Sequence, residues 1–335
     1  MKILLTSLLF APSIGGIETV SMLLAREFTA RGHSVKVVTK TLGEAGTFDG
    51  FEVVRDPSFS QLWQLARWCD VYFQCNISLP LAAPLVLVRR PWAIVHQTWI
   101  PNPSGFSGLN HQLKRALLPL AHNISISRAV AESFAVKSEL IPNPYDPTVF
   151  YQRDSITRSE ELVALGRLVS DKGFDLLVEA LALLAKEGLR PRLTIIGDGP
   201  EKEPLQQQAK NLGVAEQVTF LGAKTGGALA EELNRYRIAV IPSRWKEPFG
   251  IVALETIACG CVVVGSKEGG LADAIGPCGL TFPNGDAPAL AGALSRFLKT
   301  PGLLLQYRER AEEHLRRHTP STIAGQYLNL FERIR

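Results

Sequence analysis

The chain opens on an apolar run, Lys2 to Leu8, too short to span a membrane and the right length for a strand buried on both faces. A turn containing Gly15 and Gly16 follows, and then the period changes. Val20, Leu23, Leu24 and Phe28 recur at the spacing of one helix face, which predicts a helix over Glu18 to Arg31 ended by Gly32. Strand-like runs return at Val35 to Thr39, Val71 to Cys75, Trp92 to Gln97 and Asn123 to Ser127. The polar stretch Tyr151 to Glu161 then has almost nothing to bury.

Beyond it the alternation starts again. Leu162 to Gly166, Arg192 to Gly197, Gln217 to Leu221, Ile238 to Pro242 and Cys261 to Ser266 read as strands. Phe174 to Glu187, Glu201 to Asn211, Thr225 to Tyr236 and Phe249 to Cys259 read as the helices among them. Two such series in succession predict an α/β protein of two parallel-sheet domains. The expected division is an N-terminal domain over 1–150, a linker over 151–161, a C-terminal domain over 162–318 and a last helix, 319–335, returning to the first domain. After Gly285 the pattern is helical (Ala289 to Leu298, Leu303 to His318, Thr322 to Arg335), so these segments are expected to pack across the domains.

Composition narrows the class. At 335 residues the chain exceeds what one core usually supports, and 46% hydrophobic with 20% charged residues excludes disorder. The net charge of +4 is too small for a nucleic-acid footprint, so no nucleic-acid partner is expected. Cys69, Cys75, Cys259, Cys261 and Cys278 are odd in number, contain no Cys-x-x-Cys, and read as buried hydrophobes of a reducing cytosol. The opening run resembles a signal peptide only in its charge and apolarity: it lacks an Ala-x-Ala site and leads straight into a helix. Leu79 to Val88 is interrupted by Pro80 and Pro84 and falls far short of the ~20 residues of a span.

Open α/β sheets bind ligands at the loops leaving the carboxyl ends of their strands. Five such segments carry suggestive chemistry. In Ser13 to Glu18, Gly15 and Gly16 let backbone amides approach an anion at a helix start. In Gly166 to Phe174, Arg167 and Lys172 can neutralise a diphosphate, one as a planar fork and the other as a point charge. Ile195 to Glu201, with Val218 to Gly222, looks like paired nucleoside-holding loops, and Lys202 stands where a dinucleotide fingerprint needs its third glycine, which argues against an NAD enzyme. Ser243 to Glu255 sets Glu247 just before, and Glu255 within, a helix opened by Phe249, Gly250 and Ile251. His96 ends a strand of the N-terminal half, where a neutral imidazole can bond a sugar hydroxyl. Each has an ordinary alternative: a glycine turn, solvated cations, an exposed carboxylate pair, a satisfied core histidine.

Taken in order, these segments resemble the retaining glycosyltransferases of family 4. The resemblance runs over essentially the whole chain: the Gly-Gly-Ile-Glu loop, His96, Ile141-Pro142-Asn143, Gly166-Arg167 with Lys172-Gly173, Gly197-Asp198-Gly199-Pro200, and Glu247 to Glu255. It implies the GT-B fold, two Rossmann-like domains facing across a cleft. It further implies that Arg167 and Lys172 hold the nucleotide diphosphate, Glu255 the ribose hydroxyls, and Glu247 with the following amides the donor sugar. His96 would contact that sugar from the other domain, with Gly15, Gly16 and Gly197 among the donor-binding residues. Two departures concern the acceptor side. Asn143-Pro144-Tyr145-Asp146 stands where the family commonly has Asn-Gly-Val-Asp, and the N-terminal half is short.

The expected activity is transfer of a hexosyl unit from a nucleotide diphosphate sugar, UDP-sugar ahead of GDP-sugar, to a hydroxyl of a saccharide or lipid-linked glycan intermediate. No metal is expected, because the chain has no Asp-x-Asp, and no cofactor beyond the nucleotide sugar as substrate. Ile100 to Gly108 is expected to be a mobile loop, with Trp99 before it as a stacking face. Asn110 to Leu120 reads as a helix carrying Lys114 and Arg115, either packed on the sheet, or resting weakly on an anionic membrane surface, or binding a phosphorylated acceptor. A cytoplasmic enzyme follows, at most peripheral at the inner membrane face. A nucleotide-sugar epimerase of the same fold and a non-catalytic nucleotide-sugar-binding subunit remain as alternatives.

Overall fold

A computed structural model describes residues 1–13, 15–100 and 108–335. The chain forms two compact units, Met1–Pro144 with His318–Arg335, and Tyr145–Arg317.

The first unit is built on eight strands in the spatial order β3 (Gly46–Phe48), β4 (Phe51–Arg55), β2 (Ser34–Thr39), β1 (Lys2–Ser7), β5 (Val71–Cys75), β6 (Trp92–His96), β7 (His122–Ser125) and β8 (Ser138–Leu140). All pairings are parallel except the β3–β4 hairpin at one edge. Strand β1 lies inside the sheet with Ile3, Leu4 and Leu5 fully buried, which is why its sequence is an unbroken apolar run. The helix Gly16–Ala30 buries Val20, Leu23, Leu24 and Phe28, the face its spacing defines. The last helix, Pro320–Ile334, closes the same core: Phe73 lies 5.1 Å from Tyr327 and 5.2 Å from Phe331, ring centre to ring centre, and Phe28 lies 5.8 Å from Phe331.

The second unit has six parallel strands in the order β11 (Val218–Gly222), β10 (Leu193–Ile196), β9 (Glu160–Leu165), β12 (Tyr236–Ile241), β13 (Val262–Ser266) and β14 (Gly279–Phe282). Numbered within the unit this is 3-2-1-4-5-6, the doubly wound order whose direction reverses between β9 and β12. Ligands of such sheets bind beyond the carboxyl ends of the two strands at that reversal.

The structure corrects three details of the sequence reading. The break between units falls at Pro144–Tyr145, and the polar stretch expected as a linker belongs to the second unit. It is tied in by hydrogen bonds instead of apolar contacts: Arg153 N donates to the Asn234 side-chain Oδ1 at 2.8 Å, Arg158 Nη1 to the Tyr236 carbonyl at 2.6 Å and Nη2 to the Cys259 carbonyl at 2.8 Å. The helices from Ala287 to Arg316 stay with the second unit, so only the terminal segment joins the first. The hairpin strand β4 and the helix Phe59–Trp68 were not read from the sequence, although that helix carries a legible capping box, Ser58 with Gln61. All five cysteines are buried and unpaired, and no helix among the described residues is long and apolar enough to cross a membrane.

Candidate functional site

The reversal point of the second sheet is occupied by the two segments the sequence singled out most strongly. Strand β9 ends at Leu165 and delivers Gly166 and Arg167, whose exposed guanidinium has no partner among the described residues. Strand β12 ends at Ile241 and delivers Pro242, Ser243 and, four residues later, Glu247.

Backbone packing welds these loops together. Gly173 adopts φ +67° at the start of the helix Phe174–Lys186, and a Cβ there would run into the Pro242 carbonyl oxygen, so the site admits only glycine. The Asp171 carbonyl accepts the N–H groups of Arg244 at 2.9 Å and Trp245 at 3.0 Å. The outcome is an ion pair between residues 75 positions apart: Lys172 Nζ donates to Glu247 Oε1 at 2.5 Å, and Ser243 Oγ donates to the same oxygen at 2.8 Å. Glu247 is fixed from behind, its carbonyl accepting the Gly270 N–H at 2.7 Å. The side chains of Lys172 and Glu247 keep 26% and 15% of their surface exposed, enough for a ligand to reach both. Lys172 has three protons to donate, so Glu247 orients the ammonium without exhausting it.

Gly197 has a packing role. A Cβ there would land on the Gly166 carbonyl oxygen, and the two loops are further tied by Leu168 N to the Asp198 carbonyl at 2.9 Å and Glu201 N to the Leu168 carbonyl at 3.0 Å. The glycine therefore permits the Arg167 loop to pass. Past Glu247, Phe249 is buried and Gly250, at φ +98°, opens the helix Ile251–Ala258. No side chain caps that helix, so the N–H groups of its first turn, beginning with Ile251, point out of its N-terminal end. Glu255 lies one turn further on, partly exposed at its surface yet enclosed on most sides. Burial, and after it the charge of Asp146, pushes its carboxyl up to about 7. Asp146 is itself held by Thr148, whose N–H and Oγ1 donate to Oδ1 at 3.0 and 2.6 Å. Ser243 and Asp146 escaped the sequence reading as site residues, though each lies in a segment that it marked.

In the first unit, His96 ends β6 and is completely buried. Asn123 donates from Nδ2 to the carbonyls of Leu118 and Ala121, which turns its Oδ1 toward His96 Nε2 at 2.9 Å. Nε2 therefore carries the proton, and Nδ1 remains a buried acceptor without a partner. Burial lowers the imidazole to about 4 against the raising effect of Asn123, so the ring is neutral. Gly15 and Gly16 open the first helix as expected, but the Glu18 carboxylate lies against Gly15, accepting from Ser13 Oγ at 2.9 Å. An anion at this turn would meet a like charge, whereas a hydroxyl would meet an acceptor. Trp99 is half-buried, and most of the loop expected after it, residues 101–107, lies outside the described residues. The helix bearing Lys114 and Arg115, Leu109–Leu117, buries none of its residues. Its C-terminal end touches the core, where the half-buried Leu117 packs against the cluster of Ile94 and Leu118, while Leu109 is 72% and Leu113 47% exposed, so most of the helix lies off the sheet.

Comparison with known proteins agrees with this architecture. The family model of glycosyl transferases group 1 matches residues 150–314. N-acetyl-alpha-D-glucosaminyl L-malate synthase of Bacillus anthracis is 30% identical over 367 residues, covering 96% of this chain and 94% of that protein. Shorter matches include a D-inositol 3-phosphate glycosyltransferase of Acidothermus cellulolyticus, 38% identical over 48% of this chain and 38% of that protein. An exopolysaccharide phosphotransferase of Streptomyces coelicolor is 34% identical, and there the match spans only 20% of the relative. Among solved structures, sucrose-phosphate synthase from Thermosynechococcus elongatus superposes with a TM-score of 0.80 at 20% identity, covering 99% of this chain and 98% of that one. Anabaena HepE in complex with UDP gives 0.82 at 21% identity, covering 99% and 100%. With a relative matched over nearly its full length and two parallel-sheet units of GT-B type, the chain belongs to the group 1 glycosyl transferases.

Proposed function

We propose that the protein is a retaining, metal-independent hexosyltransferase that uses a nucleotide diphosphate sugar, UDP-sugar first and GDP-sugar next, and a saccharide or lipid-linked glycan acceptor. The observation that carries this reading is the Lys172–Glu247–Ser243 cluster beside the unpaired Arg167, at the reversal point of the second sheet. As the bond between anomeric carbon and phosphate oxygen breaks, negative charge builds on the diphosphate. Arg167 and Lys172 stand ready to take it, each such donor lowering the barrier by about 3 kcal/mol. Glu247, held by Ser243 and Lys172, positions the sugar by accepting from its hydroxyls, with the amides at Gly250 and Ile251 beside it. Glu255 accepts from the ribose. No covalent nucleophile is assigned; the acceptor hydroxyl attacks from the leaving-group side. His96, neutral and proton-bearing at Nε2, keeps Nδ1 as a buried acceptor at the carboxyl end of β6. The enzyme works in the cytoplasm, with at most a weak contact at the inner membrane face.

The test begins with thermal shifts for UDP, GDP and ADP, since a ligand of the folded state alone stabilises it by mass action. The preferred nucleotide's sugars are then incubated with saccharide acceptors and, because the full-length relative's name includes it, L-malate. The proton coupling at the product's anomeric carbon reports retention, and EDTA leaves the rate unchanged. An isomerised donor sugar formed without acceptor would replace this reading with an epimerase, and loss of turnover on chelation with rescue by a divalent ion would remove the metal-free mechanism.

A further inference from the structure

The first sheet has a reversal of its own. From β1 its strands run outward through β2 and β4 on one side and through β5 to β8 on the other. The direction changes between β1 and β5, where a doubly wound sheet opens a crevice for a ligand. The segments leaving these two strands carry two polar side chains with unspent bonding capacity, Glu18 and Asn76.

Glu18 is only 7% exposed, although it forms no ion pair among the described residues. Its Oε1 accepts from Ser13 Oγ at 2.9 Å, which fixes the carboxylate. Oε2 has no hydrogen-bond partner among the described residues, and it is not sealed from solvent. It is an acceptor held in place and left open. Asn76 directly follows β5 at φ +58°, a backbone state that glycine enters freely and other residues rarely. Two bonds keep it there: its N–H donates to the Val95 carbonyl at 2.8 Å, and its Oδ1 accepts from Gln97 N at 2.7 Å. Its Nδ2 has no partner among the described residues and also meets solvent, so it is a donor left open.

Helix packing brings the two to one level. Ser21 Oγ donates to Cys75 Sγ at 3.4 Å, so the helix Gly16–Ala30 rests on the end of β5 one residue before Asn76. Glu18 precedes Ser21 by three residues and shares its face of the helix. The helix returns between the parallel strands β1 and β2, and thus runs against the direction of β5. Its earlier turn therefore lies beyond Cys75, at the level of Asn76.

We propose that Glu18 and Asn76 select the acceptor by binding hydroxyls of an uncharged sugar ring, with Glu18 Oε2 accepting from one hydroxyl and Asn76 Nδ2 donating to another. The same carboxylate turns away a phosphate or carboxylate group at this position. That the bound sugar is the acceptor rests on the glycosyltransferase reading; recognition of a neutral polyol here does not.

The experiment titrates the full chain with methyl α-D-glucopyranoside, glucose 6-phosphate and L-malate, read by saturation-transfer NMR. The neutral glycoside is expected to bind more tightly than either anion. Glu18→Gln weakens it 10-fold or more and narrows its lead over glucose 6-phosphate, a change of selectivity that lost packing alone does not produce. Because Glu18 is buried, Asn76→Asp is the companion variant: it keeps the bond from Gln97 and a side chain that tolerates the left-handed backbone, but removes the donor and adds a like charge. It weakens the glycoside several-fold. With an acceptor that is turned over, Glu18→Gln raises the acceptor KM and leaves the donor KM unchanged. Anions binding as tightly as the glycoside, or unchanged glycoside affinity in Glu18→Gln or in Asn76→Asp, would overturn the proposal. Glycoside binding that follows both variants in a protein stabilised by no nucleotide would support this site and count against the glycosyltransferase reading.

Discussion

Lys172 and Glu255 illustrate two ways in which a single side chain serves a binding site. In the proposed mechanism Lys172 answers charge that develops during reaction, so Lys172→Ala is expected to lower kcat about 100-fold or more at saturating donor, with the fold intact. Near-normal turnover in steady-state kinetics would sink that role. The same proposal gives Glu255 a contact with a part of the donor that does not change, so Glu255→Gln should weaken nucleotide binding more than turnover. Its carboxyl, raised to about 7, adds a pH signature. The folded protein holds a proton that the unfolded chain releases near 4.5, so this group's contribution to stability falls as pH rises from about 4.5 to about 7. Glu255→Gln removes that loss, and its thermal midpoint should gain on wild type across the window. Nucleotide affinity, which needs the ionised acceptor, should rise through pH 7 in wild type and stay flat in the variant; calorimetry at pH 6 and 8 compares them. Both residues were legible in the sequence from their loops, but their environments were not. The Lys172–Glu247 pair joins positions 75 apart, and the Asp146 charge beside Glu255 depends on how the second unit starts.

At the scale of elements, alternation of apolar runs was enough to locate the central strands and the long helices, because each is buried on a face that the period records. It failed where elements are short or edge-lying. Strand β4 has only Phe51 and Val53 fully buried and lies between Asp49 and Asp56, both at positive φ, so five residues carried too little pattern. The helix Leu109–Leu117 shows the opposite failure, since a recognisable apolar spacing there fully buries no residue and brings the half-buried Leu117 at its end against the core. Its setting explains what that spacing is compatible with: from Val71 to Ala131 the sequence has no Asp or Glu, while Arg89, Arg90, Lys114, Arg115 and Arg128 fall in the same stretch. Each cation near an anionic bilayer contributes about 1 kcal/mol, so a weak association lost at high salt is expected. Sedimentation with anionic liposomes should show binding at low ionic strength, reduced when Lys114 and Arg115 are replaced by Glu. Strong binding that persists at high salt would contradict a peripheral, electrostatic contact.

The chain leaves its first unit at Pro144 and returns to it at His318, so the first core is completed by a segment that follows the whole second unit in sequence. The returning helix inserts Tyr327 and Phe331 beside Phe28 and Phe73, and all four rings are fully buried. That the helix returns was legible from the pattern of the chain, but not what it meets, because the four aromatics are spread over some 300 positions. Tyr327 separates the two contributions this contact makes. Its ring fills the core, so Tyr327→Ala should destabilise the protein by about 3–5 kcal/mol, the usual cost of deleting a large buried aromatic. Its hydroxyl is buried without a hydrogen-bond partner, so Tyr327→Phe removes a desolvated polar group and should be neutral or stabilising. Four of the five tryptophans, Trp63, Trp68, Trp92 and Trp99, lie in the first unit, which makes their fluorescence a reporter of this core. Urea unfolding followed by that signal should shift to lower denaturant in Tyr327→Ala and stay or rise in Tyr327→Phe. A clear loss of stability in Tyr327→Phe would mean that the hydroxyl is bonded in solution and that the helix is anchored by polarity as well as by packing.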